Sequence, residues 1–112
     1  MTVTNKYPET MDKKTLYLLT KDPSVQSIKN LPDGTTFTVS AYLTYTDTNS
    51  RGEEVNILSL MTEQGPLACQ SNTFKEQFLD IFEIFGLPVT ISKISGMTKA
   101  GREYITCTYA GE

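Results

Sequence analysis

Residues 35–47 read TTFTVSAYLTYTD, and apolar or aromatic side chains occupy every second position of this stretch. Successive side chains of a β-strand point to opposite sides of a sheet, so this alternation predicts one long strand with a core face and a polar face. The predicted core face carries Phe37, Val39, Ala41, Leu43 and Tyr45, and the predicted polar face carries Thr36, Thr38, Ser40, Tyr42 and Thr44.

Four further segments after this strand carry strand patterns and are separated by turn-forming residues. They are residues 54–62, 66–70, 89–95 and 102–109. One helix interrupts them at TFKEQFLDIFEIF, residues 73–85, with Thr73 and Glu76 as a predicted capping box and Gly86 as the C-terminal cap. Its apolar residues follow helical spacing and are all expected in the core: Phe74, Phe78, Ile81, Phe82 and Phe85.

The first 31 residues lack this regular pattern and are predicted to form an N-terminal arm with a short helix. Residues 1–11 are polar and without periodicity, which indicates a loose arm. Asp12 is a suitable N-cap for a helix that places Leu16 and Leu19 on one face. The predicted domain organisation is therefore an extension over 1–31 and a single domain over 32–112.

The order of elements after residue 34 is β-β-β-α-β-β. That order is typical of a five-stranded OB-type barrel, in which the phenylalanine-rich helix would plug the open end. The predicted fold class is thus mainly β, an OB-type barrel with a short helical N-terminal extension. An open α+β sheet is the alternative.

Composition narrows the possible functions. The chain of 112 residues has no histidine, two cysteines and a formal net charge of −3. Without histidine it lacks the commonest general base and transition-metal ligand, and Cys69 and Cys107 match no zinc motif. We therefore expect no enzymatic activity, no metal and no cofactor. The polar N-terminus and the lack of an apolar run of ~20 residues predict a cytoplasmic protein with no membrane partner.

The candidate ligand site follows from the barrel hypothesis, because OB folds bind ligands across their second and third strands between two loops. Here those loops are residues 47–53 and 97–101. The residues predicted to contact phosphates are Arg51, Lys93, Lys99 and Arg102, and those predicted to stack on bases are Tyr42 and Tyr104. Ordinary roles stay open for both sets: solvated surface charges, and rings that cover neighbouring apolar surface.

Three stretches carry a family resemblance. The helix TFKEQFLDIFEIFG, the hairpin PVTISKISGMTKAGREYITCTY and the hairpin SAYLTYTDTNSRGEEVNILSL resemble small single-stranded-DNA-binding proteins encoded by bacteriophages. The resemblance covers roughly residues 30–110. It implies stoichiometric coating, without sequence preference, of single strands exposed during phage replication or recombination in the host cytoplasm. The chain ends Ala110-Gly111-Glu112, so partner recruitment through an acidic tail is not expected.

Two functions remain in competition at this point. Single-stranded DNA binding is favoured by the loop cations, the two tyrosines and the resemblance. A protein-binding module, such as a phage-encoded inhibitor of a host enzyme, is favoured by the acidic balance, because nucleic-acid binders are usually basic. A second copy of the chain, as a dimer or as a cooperative neighbour, is a further partner that the sequence leaves open.

Overall fold

The computed structural model describes residues 1–111, and its strands form one strongly curled sheet. The prediction of a mainly β protein is therefore confirmed. The elements are β1 (Thr2–Tyr7), α1 (Lys13–Thr20), β2 (Gln26–Ser27), a 3-10 turn (Ile28–Asn30), β3 (Thr36–Thr48), β4 (Glu54–Thr62), β5 (Gly65–Cys69), α2 (Asn72–Phe85), β6 (Val89–Met97) and β7 (Glu103–Tyr109). No helix within the described residues is long and apolar enough to cross a bilayer.

The long strand β3 organises the sheet because it pairs along both of its edges. One edge pairs with β4 from Val39 to Thr48. The other edge pairs first with β6, over Thr36–Val39, and then with β1, over Tyr42–Thr46. β5 continues the sheet beyond β4, β2 adds a short parallel edge to β5, and β7 pairs with β6.

The predicted alternation of β3 fails at Ser40. The register against β4 shifts between Val39 and Ala41, so one residue is inserted into the ladder. Since side chains alternate with a period of two, an extra residue reverses the faces of the strand beyond it. Phe37 and Val39 lie in the main core as predicted, but beyond the shift it is Tyr42 that joins them. Leu43 and Tyr45 turn to the opposite side of the sheet.

α2 fills the concave side of the sheet and supplies the centre of the main core. Phe74 and Phe78 are fully buried and Ile81 nearly so, as the helical stripe predicts. Phe85 is an exception: it is 49% exposed, because it lies at the last turn of the helix and stacks on Tyr109 at the surface. The predicted cap is also corrected, because Ser71 is the N-cap, and its hydroxyl accepts the N–H of Phe74 at 3.1 Å.

The first 31 residues belong to the sheet, which corrects the prediction of a loose arm. β1 pairs with β3, and β2 pairs with β5. α1 begins after Asp12, whose carboxylate accepts the N–H of Thr15, but it lies between two strands rather than in an extension. On the convex side of the sheet, Leu19 of α1 packs against Leu43 and Tyr45 in a second, smaller core.

Candidate nucleic-acid interface

A cleft of about 710 Å³ opens where the curled sheet does not close on itself. It lies between the end of β5 and the start of β7, which are not paired in the described part of the chain. Tyr45 and Ile57, cross-strand partners on β3 and β4, line it on one side. Tyr104 of β7 and Lys29 beside β2 also line it. We refer to this feature as the β5–β7 cleft.

The lining of the β5–β7 cleft combines apolar surface with hydrogen-bonding groups. Its polar side chains are mostly uncharged: Gln26, Ser27, Gln70 and Ser71. Its charged lining residues are one cation, Lys29, and one anion, Glu103. Burial raises the pKa of the Tyr45 phenol further above physiological pH, where a tyrosine is already neutral. Such a surface can contact a flat, polar-edged ligand without a strong net electric field.

Tyr104 holds a defined position at the cleft because its cross-strand neighbour is a glycine. Gly96 and Tyr104 are directly paired on β6 and β7. A Cβ atom built on Gly96 would lie 2.6 Å from the Tyr104 hydroxyl oxygen, so the ring occupies the space that any larger residue would fill. The side chain is 38% exposed. Tyr104 is thus an exposed aromatic residue of the cleft, and its contact with a ligand stays a prediction.

Arg51 lies at the tip of an internally bonded loop between β3 and β4. The side-chain oxygen of Asn49 accepts the N–H groups of Arg51 and Glu53 at 2.9 and 3.0 Å. The Asn49 N–H also donates to the Glu53 carbonyl at 2.9 Å. The loop backbone is therefore ordered, while the Arg51 side chain extends into solvent.

The loop between β6 and β7 is closed in a similar way and carries Lys99 and Arg102. The N–H of Thr98 donates to the Arg102 carbonyl at 2.8 Å, and the N–H of Gly101 donates to the Thr98 carbonyl at 2.9 Å. Gly101 has a φ of +83°, a conformation that favours glycine. Both cationic residues are exposed.

The two loops adjoin strands that line the β5–β7 cleft. Glu103 and Tyr104, which line the cleft, directly follow the second loop. Asn49, where the first loop begins, is four residues beyond Tyr45, a distance of about 13 Å at the rise of an extended strand. Tyr104 and Lys29 thus line the cleft, while Arg51, Lys99 and Arg102 lie on loops that adjoin cleft-lining strands.

Tyr42 does not belong to this region, which corrects its predicted role. Its side chain is 3% exposed and lies in the main core. Its ring makes edge-to-face contacts with Phe78 and Phe82, at centroid distances of 5.5 and 5.0 Å. The side-chain amide of Asn5 donates to its hydroxyl at 3.1 Å. The register shift at Ser40 is the reason that this tyrosine points inward.

Lys93 is also excluded, since it is 4% exposed. Its ammonium donates to the Leu31 carbonyl at 2.8 Å and to the Asp33 carboxylate at 3.1 Å. Hydrogen bonds from Ser95 and Lys93 lower the pKa of Asp33 and keep the carboxylate charged. Lys93 thus joins β6 to the turn before β3. The alternation of this strand indicates that Lys93 is buried, because Lys93 follows Val89 and Ile91 on their inward face.

Sequence reasoning missed Lys29 and the polar lining of the cleft. Gln26, Ser27 and Lys29 fall in the segment that was predicted to lie outside the domain. Pairing of β2 with β5 brings them to the cleft, and nothing in the local pattern of two strand residues reveals that pairing. Comparison of the chain with protein-family models, with curated proteins and with solved structures gave no match.

Proposed function

We propose that this protein binds single-stranded DNA without sequence preference, through an OB-type barrel, and that it serves the replication or recombination of a bacteriophage. The phage assignment comes from the resemblance of the helix and the two hairpins. The observation that carries the binding proposal is the β5–β7 cleft, with the Tyr104 ring at its wall and three exposed cations in the loops beside it.

Strand pairing supports the OB-type barrel. β3 pairs with β4 and β6, β4 with β5, and β6 with β7, while α2 connects β5 to β6. This connectivity suits the partly open Greek-key barrel of the OB class. Full closure would require β5 to meet β7. Instead, α2 begins in that gap, and the Ser71 hydroxyl donates to the Ile105 carbonyl of β7 at 3.3 Å.

The convex face of β4 and β5 restricts the path that a strand could take. OB folds bind ligands across the second and third strands, which are β4 and β5 here. α1 covers part of that face, and the buried Ser59 hydroxyl of β4 donates to the Leu19 carbonyl of α1 at 2.6 Å. The DNA path that we propose therefore runs beside α1 through the β5–β7 cleft, with bases toward Tyr104 and phosphates toward the loop cations.

The chemistry of the cleft suits nucleic-acid bases in general and does not select a particular base sequence. An aromatic ring stacks on any base, and each stack is worth ~1–3 kcal/mol. Amide and hydroxyl side chains can hydrogen-bond to several base edges, so the lining imposes no single pattern. Duplex DNA keeps its bases stacked inside the helix, and we therefore expect much weaker binding to duplex than to single strands.

The decisive experiment is a fluorescence titration with oligothymidine of about 10 nucleotides, a length within the range of one OB domain. The wild-type protein should bind saturably at low salt. Tyr104→Ala and Lys99→Ala should weaken binding, while Lys6→Ala on β1, outside the cleft lining and both loops, serves as a charge-matched control and should leave affinity unchanged.

Absence of saturable binding at micromolar protein and low salt would overturn the proposal. Equal losses from Lys99→Ala and Lys6→Ala would show an unspecific charge effect and would remove the cleft from consideration. In either case the protein-binding module becomes the preferred function.

A further inference from the structure

The exposed face of α1 is basic. Lys13, Lys14 and Tyr17 fall within about 100° of the helical wheel, opposite the buried Leu19. Tyr17 is 51% exposed, and its angular position on the helix falls between those of the two lysines. Lys21 lies on the same side but is already paired with Asp47 at 2.8 Å. We call Lys13, Lys14 and Tyr17 the basic face of α1.

The exposed face of α2 has the opposite charge. Glu76, Asp80 and Glu83 share the solvent side of the helix, with Ile84 next to them. Within residues 1–111 none of these three carboxylates forms an ion pair. Ile84 is 75% exposed and places one apolar side chain beside the charged stripe. We call these four residues the acidic face of α2.

The two faces are opposite in charge, and the basic face is short enough to lie along the acidic one. Lys13 to Tyr17 spans about 6 Å along its helix axis, and Glu76 to Glu83 spans about 10 Å, at 1.5 Å per residue. Each face also offers one exposed apolar or aromatic residue, Tyr17 and Ile84. Two such helices can pack side by side with both ammonium groups within reach of the carboxylates.

These faces cannot meet within one chain. α1 packs on the convex side of the sheet against Leu43 and Tyr45, whereas α2 fills the concave side against Tyr42. Their exposed faces therefore point in opposite directions from the sheet. A contact between them requires two copies, and because the two surfaces differ, such a contact joins copies head to tail, in an open chain or in a ring.

We propose that the basic face of α1 binds the acidic face of α2 on a second copy of this protein. Two helix faces bury less area than the ~1,200–2,000 Å² of a stable complex, so the contact is weak and reversible in solution. It is screened by salt, because its charges are exposed. Copies held next to one another on a single strand would experience a high effective concentration, which converts a weak contact into cooperative binding.

Self-association is tested without DNA, so its outcome is independent of the proposed function. Sedimentation analysis at low salt should show an average mass that rises with protein concentration, and about 0.3 M salt should abolish the rise. The variant Lys13→Glu/Lys14→Glu should remain monomeric. The variant Glu76→Gln/Asp80→Asn/Glu83→Gln should also associate at least tenfold more weakly than wild type.

A mixture of these two variants gives the sharpest result. The first keeps a native acidic face and the second keeps a native basic face, so together they can form one native contact and should give a 1:1 complex that does not extend. The control Lys99→Glu/Arg102→Glu makes the same change in net charge outside both faces and should associate like wild type. Circular dichroism and thermal melting establish that each variant is folded.

Three results would overturn the proposal. One is a wild-type protein that stays monomeric at millimolar concentration and low salt. Another is a mixture of folded variants that forms no complex. The third is a control variant that loses association as fully as Lys13→Glu/Lys14→Glu does, since this would show that net charge alone governs the behaviour.

Discussion

Tyr42 combines a buried ring with a satisfied hydroxyl group. The ring lies edge-to-face against Phe78 and Phe82, and the hydroxyl accepts a hydrogen bond from Asn5 of β1. Burial also raises the pKa of the phenol, since an ionised ring would lose its hydration. Tyr42 therefore packs in the core and helps to attach β1 through Asn5, and its buried ring is not accessible to a ligand.

Replacement of Tyr42 therefore changes stability rather than binding. Tyr42→Ala should lower the free energy of unfolding by ~3–5 kcal/mol, the usual cost of removing a buried aromatic side chain. Tyr42→Phe keeps the ring contacts and loses one hydrogen bond, which costs about 1 kcal/mol. Urea denaturation measures both values. If a Tyr42→Phe protein of near-native stability bound oligothymidine severalfold more weakly, this result would show that the Tyr42 hydroxyl contributes to DNA binding.

At the scale of single elements, α2 depends on a cap that precedes its predicted start. Ser71 accepts the N–H of Phe74 and donates to the Ile105 carbonyl, so one hydroxyl both begins the helix and joins it to β7. Thr73 is exposed within the first turn and forms no side-chain hydrogen bond among residues 1–111. The two hydroxyl residues are two positions apart, and only their contacts distinguish them.

Alanine substitution at these two positions gives a matched test of the cap. Ser71→Ala should destabilise the protein by ~0.5–2 kcal/mol, the range for loss of an N-cap side chain. Thr73→Ala should change stability by less than about 0.5 kcal/mol, as is usual for surface positions. Thermal or urea unfolding provides the comparison. If Thr73→Ala were the more damaging substitution, the helix would start where the sequence pattern placed it.

For the whole molecule, the proposed DNA binding depends more on where the charges lie than on the net charge of −3. The acidic face of α2 lies on the concave side of the sheet, whereas Arg51, Lys99 and Arg102 lie in the two loops at the β5–β7 cleft. A net acidic chain can therefore present a locally cationic edge. With Lys93 buried and Lys29 at the cleft, the number of available phosphate contacts remains four.

The salt dependence of DNA affinity measures the number of phosphate contacts. Each neutralised phosphate on a single strand contributes about 0.7 to the slope of log affinity against log salt, so four contacts give a slope near −3. Lys29→Ala should flatten the slope by about 0.7. Tyr104→Ala should lower affinity by ~1–3 kcal/mol and leave the slope nearly unchanged, because stacking releases no counterions. An unchanged slope in Lys29→Ala would place the strand outside this part of the cleft.

Local periodicity predicted most of the secondary structure but less of the candidate site. The strands of residues 54–62, 66–70, 89–95 and 102–109 and the helix near 73–85 appear close to their predicted bounds. Arg51, Lys99, Arg102 and Tyr104 are exposed, and Tyr104 lines the cleft. These features depend on the alternation or spacing of neighbouring residues, which the sequence displays directly.

By itself, the sequence determined the order of strands and helices after residue 34 and the apolar stripe of α2, because both arise from contacts that recur every two to four residues. Only the tertiary structure decided that β1 pairs with β3, that β2 places Lys29 at the cleft, and that Tyr42 and Lys93 are buried. Tyr7 meets Tyr42, and Gln26 meets Leu67, through backbone pairing between segments far apart in the chain. Such pairing, together with the one inserted residue at Ser40, leaves no periodic trace in the sequence, because the partner strands and the curvature of the sheet determine it.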